Sequence, residues 1–287
     1  MESAARTYLV TGADSGLGRT VADLLAERGR VIRCGLGDGV DVRADLASAE
    51  GRARLIHEVD SLSGGRLDGI VAAAGLGAPR VETVALNHFG TVAVLDGLRR
   101  LLARSPAPAA VVVSSSSTLN RGSGALVRAC LSGNEEKALG VARRLIRTRR
   151  GSQLYRSSKI ALNHWVRAAS VQAEWAGSGI VLNAVAPGII GTELVLRTWD
   201  RDRQLLETAL PQPLGAPGPV APVAALLAHA VSPENRFMTG QLIYCDGGTD
   251  ALVRGARPQR LFLRYRPREI LALLRASRRL AGDAAAV

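Results

Sequence analysis

The chain has 287 residues, 47% of them apolar and 22% charged, the composition of a folded globular protein with a full core rather than a disordered or fibrous one. No apolar run approaches the ~18 residues needed to span a bilayer, and residues 1–10 lack a basic stretch leading into an apolar one, so no secretory signal is expected. The formal charge of +12 is concentrated at the C-terminus, where residues 252–287 hold nine arginines against Glu269 and Asp283, so it does not make the main body a nucleic-acid binder.

In chain order, short runs rich in β-branched residues alternate with longer helix-compatible stretches. Strands are predicted at 8–10, 30–34, 69–73, 110–114, 180–186 and 241–244, with a short third strand just before Asp45. Helices are predicted at 19–28, 51–62, 86–104 and 155–175. Strands that are apolar throughout, with helices between them, predict a doubly wound parallel sheet covered on both faces. The α/β domain spans residues 1–251.

Two additions stand out. Residues 119–151 predict a helical insertion: Ser132-Gly133-Asn134-Glu135 has capping-box spacing, and Ala138, Leu139, Ala142, Leu145 and Ile146 form an apolar stripe. The tail, 252–287, is helix-compatible over 267–280, with leucines on one side and arginines on the other. It reads as a solvated extension, a subunit contact or an interfacial helix on anionic lipid.

The first strand runs into Thr11-Gly12-Ala13-Asp14-Ser15-Gly16-Leu17-Gly18 and then a helix. Glycines permit a tight turn and close backbone approach to a pyrophosphate, which the helix N-terminus then attracts. An acid normally follows the second strand to hold the adenine ribose, and none stands at Arg33-Cys34-Gly35-Leu36. Asp38 could reach in for the ribose, or Arg33 could meet a 2′-phosphate. Asp45, with Leu46 after it, is placed to accept from an adenine amino group or to cap the next helix. Ala73, Ala74 and Gly75 supply small residues where a strand meets the nucleotide.

The chain holds two lysines, Lys137 and Lys159, so arginine supplies 35 of its 37 basic residues. Lys159 stands four residues after Tyr155, on the same helical face. An ammonium there would favour the phenolate and lower the Tyr155 pKa, and a compact amine can also reach a ribose hydroxyl.

These residues resemble the short-chain dehydrogenase/reductase family over residues 6 to about 250. The likeness rests on the 11–18 turn, Asn87 in Leu86-Asn87-His88-Phe89-Gly90, the serines at 114–117, Tyr155-x-x-x-Lys159, 187–192 and Cys245-Asp246-Gly247-Gly248. Within the family the chain is most similar to the bacterial 3α-hydroxysteroid dehydrogenase/carbonyl reductase group. The resemblance implies that Tyr155 is the general acid/base, that Lys159 tunes it and holds the nicotinamide ribose, and that Asn87 supports a relay water. Ser115, the second hydroxyl after Val113, is the implied catalytic serine, with Ser114, Ser116 and Ser117 as alternatives. Thr192 would hold the nicotinamide amide, and Pro187, Gly188 and Ile190 would shape the backbone around it. The cofactor is NAD or NADP, with Ser15 in place of a basic residue leaning toward NAD.

The implied activity interconverts a secondary alcohol and a ketone, on an apolar substrate such as a hydroxysteroid or a polycyclic ketone. A secondary-metabolite ketone, or a non-catalytic dinucleotide sensor on the same fold, are the rival readings. Residues 193–219, with Leu194, Val195, Leu196, Trp199, Leu205 and Leu206, predict a lid over the substrate. Cys34, Cys130 and Cys245 read as reduced buried thiols of a cytoplasmic protein. The four histidines lack metal-like spacing, so no metal site is predicted. Trp165 and Trp175 read as core or subunit contacts, and relatives suggest a homodimer or homotetramer.

Overall fold

Seven strands form the sheet: β1 (Arg6–Thr11), β2 (Gly29–Gly35), β3 (Val42–Arg43), β4 (Gly69–Ala72), β5 (Ala109–Val113), β6 (Val181–Pro187) and β7 (Leu242–Cys245). They lie in the order β3-β2-β1-β4-β5-β6-β7, every neighbouring pair parallel. The structure is a computed structural model that describes residues 5–256, 266–268 and 270–271. The chain divides into two compact units, Met1–Val253 and Arg254–Val287, and the sheet belongs to the first. Most of the helix expected over 267–280 lies outside the described residues.

The pleat sorts the apolar side chains. Tyr8, Val10, Val71 and Val111 face one layer, while Leu9, Ile70, Ala72, Ala110 and Val112 face the other. Helices α1 (Gly16–Ala26) and α9 (Val220–Ala230) close the first layer through Val21, Leu25, Val223 and Leu227. Of the α2 (Ala49–Leu62), α4 (Thr91–Leu102) and α7 (Gln153–Ala169) helices, Leu55, Leu95, Leu98 and Leu162 close the second. Because β2 and β3 lie on one side of β1 and β4 on the other, the strand order reverses at the carboxyl ends of β1 and β4. A crevice opens at such a reversal.

Three expected elements differ. The helix predicted over 86–104 opens as a π-helical turn, Ala85–Gly90, which runs on from the short α3 (Val81–Val84). A widened turn of this kind is common at functional sites, and Gly90 admits the Leu46 carbonyl, 2.5 Å from where a Cβ would sit. The helix carrying Tyr155 stops at Ala169 instead of 175. Burial of Trp175 (2% exposed) against Trp165, ring edge to face at 5.9 Å, outweighs continued helix.

The insertion folds as two helices, α5 (Gly124–Leu131) and α6 (Glu135–Arg147). Ser132 ends α5 instead of starting a helix, Gly133 turns the chain at φ +71°, and Asn134 caps α6 by accepting from Lys137 N at 2.8 Å. Ala138, Ala142 and Leu145 of the expected stripe are buried against Val84, Phe89 and Leu154, while Ile146 stays exposed. Cys34 and Cys130 are buried, and burial pushes each thiol up to about 12; Cys245 is only half-buried.

Candidate active site

The glycine turn forms the floor of a cavity of about 460 Å³ at the strand-order reversal. Gly12 stands at φ +67°, and a Cβ there would lie 2.9 Å from the Ala74 Cα. At Gly18 a Cβ would lie 1.9 Å from the Gly12 carbonyl, so turn and helix meet at a distance no other residue permits. Thr11 Oγ1 accepts from Ala74 N at 3.1 Å and ties the turn to the end of β4. Ser15 precedes α1 without capping it by its side chain, which leaves the first N–H groups of α1 facing outward without a side-chain acceptor. A turn bare of side chains at Gly12, Gly16 and Gly18 and an uncapped helix N-terminus fit the phosphates of a dinucleotide.

Of the nucleotide residues expected from sequence, Gly12, Ser15, Gly16, Leu17, Gly18, Asp45, Leu46, Ala73, Ala74, Gly75 and Thr192 line this cavity. Asp45 Oδ1 accepts from Ala47 N at 2.9 Å, while the cap of α2 is Ser48, which accepts from Gly51 N at 3.0 Å. Arg33 and Asp38 are not among the lining residues. The Arg33 guanidinium pairs with Asp23 on α1 at 2.8 Å, and Asp38 stands fully exposed, 3.9 Å from Arg43. Sequence reasoning gave no role to Asp14, which lines the cavity and accepts from Leu36 N at 3.1 Å and Gly37 N at 2.8 Å.

Beyond Gly75 lie the polar side chains. A Cβ on Gly75 would stand 3.5 Å from Lys159 Nζ and 3.4 Å from Asn87 Oδ1, so these two side chains converge behind the cavity's end. The π turn aims Asn87 inward. Its Oδ1 accepts from Leu76 N at 2.8 Å, and its Nδ2 donates to Leu76 O at 2.9 Å and to Ser158 Oγ at 3.3 Å. Lys159 is buried, donates to Val113 O at 2.6 Å, and stands 6.0 Å from the centroid of the Tyr155 ring.

The four serines after β5 divide by partner. Ser114 donates to Asn163 Oδ1 at 2.6 Å and is held in the core. The Ser116 and Ser117 hydroxyls are buried and have no hydrogen-bond partner among the described residues. Ser115 is the serine whose hydroxyl acts on the Tyr155 phenol, favouring its ionised form, and it also accepts from Ser117 N at 3.1 Å.

Burial pushes the Tyr155 phenol above its ordinary value, opposed by the Ser115 hydrogen bond, and burial pulls Lys159 down to about 8. The sequence leads one to expect a lowered value at Tyr155; in this structure burial raises it, and the Lys159 amine is directed at the Val113 carbonyl.

Past β6, Gly188 lets Gln212 approach: a Cβ there would stand 2.2 Å from the Gln212 amide oxygen. That oxygen accepts from Ile189 N, and the Gln212 amide donates to Ile189 O at 3.3 Å. Ile190 bridges to Gly218. Thr192 caps α8 (Glu193–Ala209), and its methyl would be 3.5 Å from a Cβ on Gly16, so the loop crosses above the glycine turn. Gln212 carried no signal in the sequence. Among the described residues, no helix is long and apolar enough to cross a membrane.

Residues 12–250 match a family model described as enoyl-(acyl carrier protein) reductase. With the parallel sheet and glycine turn, the match establishes that the chain belongs to the short-chain dehydrogenase/reductase family, NAD(P)-binding oxidoreductases acting on CH–OH groups. It is 31% identical over 259 residues to 3-alpha-hydroxysteroid dehydrogenase/carbonyl reductase of Comamonas testosteroni, covering 86% of this chain and 97% of the relative. It is 30% identical over 274 residues to cis-4-hydroxycyclohexanecarboxylate dehydrogenase of Sinomonas cyclohexanicum, covering 87% and 98% of the two chains. Among solved structures, the 3-alpha-hydroxysteroid dehydrogenase from Pseudomonas sp. B-0831 complexed with NADH superimposes with a TM-score of 0.78 at 36% identity, covering 86% and 98%.

Proposed function

We propose that the chain interconverts a secondary alcohol and a ketone on an apolar, ring-bearing substrate such as a hydroxysteroid, with NAD as its cofactor. The observation that carries this reading is the convergence of Ser115, Tyr155 and Lys159 just beyond Gly75, where the glycine-floored cavity ends. When bound, the cofactor supplies or accepts the hydride. Tyr155 exchanges a proton with the substrate oxygen, and the Ser115 hydroxyl hydrogen-bonds that oxygen as charge builds on it. Lys159 would hold the nicotinamide ribose, Asn87 would order the relay water, and Thr192 would hold the nicotinamide amide. Pro187, Gly188 and Ile190 would shape that wall, the N–H groups at 15–18 would hold the pyrophosphate, and Asp45 with Leu46 would border the adenine.

Apolarity of the substrate is argued from α8 and the segment after it. None of the 17 residues of α8 is buried. Leu194 is 74% exposed, Leu205 73% and Leu214 88%, an amount of open apolar surface that a ring system would cover. Glu193, Leu194 and Arg197 border the cavity, which supports reading residues 193–219 as a lid over it. The names of the two relatives, a 3-alpha-hydroxysteroid dehydrogenase/carbonyl reductase and a cis-4-hydroxycyclohexanecarboxylate dehydrogenase, support a ring-borne hydroxyl.

Absorbance in the reduced-nicotinamide band tests this, using NADH or NADPH with a panel of steroid, monocyclic and open-chain ketones. Oxidation of NADH with cyclic apolar ketones preferred is expected. No turnover with any ketone, or equal turnover of small polar ones, overturns the reading.

A further inference from the structure

We propose that Asp14, within the glycine turn, is the residue that selects an unphosphorylated adenosine ribose and excludes a 2′-phosphate. This rests on the oxidoreductase reading above and names the group that sets its cofactor choice. A ribose-binding acid ordinarily stands after the second strand of such a sheet. Here that place holds Gly35, Leu36 and Gly37, and the carboxylate arrives from the opposite side, off the β1–α1 turn.

The fit of Asp14 to this place is specific. A Cβ at Gly35 would stand 2.6 Å from Asp14 Oδ1, and one at Gly37 would stand 3.1 Å from Oδ2, so the two glycines form the shelf on which the carboxylate lies. Both backbone N–H groups that anchor it, Leu36 N at 3.1 Å and Gly37 N at 2.8 Å, bind Oδ2. Among the described residues no hydrogen bond or ion pair uses Oδ1, which keeps its acceptor capacity. Asp14 lines the cavity beside Gly35 and Leu36. A ribose diol can donate to such an oxygen, in a charge-assisted hydrogen bond.

A phosphate on the same ribose would bring close to two negative charges against that carboxylate. The arginines of this corner do not offset it. Arg33 is paired with Asp23 and Arg43 faces Asp38, and neither lines the cavity. The one basic residue among the lining residues is Arg197, on α8 rather than at the β2 end.

Calorimetric titration of the full-length protein with NADH and with NADPH tests the assignment without turnover. Wild type is expected to bind NADH at least about tenfold more tightly. Asp14→Asn removes the charge, and Gly35→Ala inserts a methyl where the carboxylate lies. Both are expected to bring the ratio of the two dissociation constants to within about threefold, mainly by tightening NADPH in Asp14→Asn. Wild type that binds NADPH as tightly as NADH overturns the proposal, whatever the variants do. So does a preference for NADH that survives unchanged in both folded variants. Folded wild type that binds neither nucleotide sinks the oxidoreductase reading and this proposal together, whereas binding of both without discrimination removes only the role of Asp14.

Discussion

Arg52 on α2 and Glu135 at the start of α6 form a two-pronged ion pair, Nη1 to Oε2 and Nη2 to Oε1, each at 2.7 Å. The same guanidinium donates to the backbone oxygens of Leu46 at 2.8 Å, Ala47 at 3.0 Å and Ala85 at 3.3 Å. One buried cation thus joins three features: the inserted helix, the loop bordering the cavity and the π turn that aims Asn87. Removing Glu135 would leave that cation without its counter-charge. Glu135→Ala is expected to lose about 2–3 kcal/mol, below the figure for fully buried pairs because Glu135 retains some exposure. Thermal melting measures the loss; a shift of under a degree would show that the insertion is held by its apolar stripe alone.

For Tyr155→Phe, nicotinamide binding should survive within about twofold while kcat falls by about 10²–10⁴, the usual contribution of a positioned proton donor. Fluorescence titration and steady-state rates separate the two. Retained turnover would transfer the proton step to another group.

The Lys159 amine titrates at about 8 in the folded chain against an ordinary 10.5, with burial as the cause. Between those values the unfolded chain binds the extra proton, so its contribution to stability is full above 10.5 and is lost as pH falls through 8. Compared with Lys159→Met, wild type should gain on the order of 3 kcal/mol in relative stability from pH 8 to 10.5. Denaturant melts of both proteins across that range give the difference directly. A flat difference would mean that the amine reaches water.

Two glycine-to-alanine changes should act in opposite directions. At Gly18 the new methyl meets the Gly12 carbonyl at 1.9 Å, so nucleotide binding and stability should both fall. Gly140 lies in the exposed face of α6 with open space around it, and alanine there should stabilise by roughly 0.5–1 kcal/mol. Paired melting curves, with nucleotide titration of the first variant, test both.

The sheet was readable because its strands are apolar on both faces and separated by glycine-marked turns; β1, β2, β4, β5, β6 and β7 fall within two residues of their predicted ends. Local chemistry was misread where tertiary contacts decide. Ser132 and Asn134 both suit a helix start, and only the left-handed Gly133 between them shows which helix each belongs to. The π turn has no periodic signature, since its hydrogen bonds reach only one residue further than those of an α-helix. At the nucleotide end, proximity to the second strand points to Arg33 and Asp38, because sequence distance says nothing of a carboxylate crossing from a neighbouring turn. Among four adjacent serines, tertiary neighbours separate Ser115 from Ser114, and those neighbours, Tyr155 and Asn163, lie 40 and 49 residues away.

The near-absence of lysine has a practical result. Lys137 is exposed on α6 and Lys159 is enclosed beside the Tyr155 ring. Isotopically labelled lysine would therefore give only two side-chain resonances in a magnetic-resonance spectrum. One would report bulk solvent, and the other would report directly on the interior beside Tyr155 and Asn87 as nucleotide arrives.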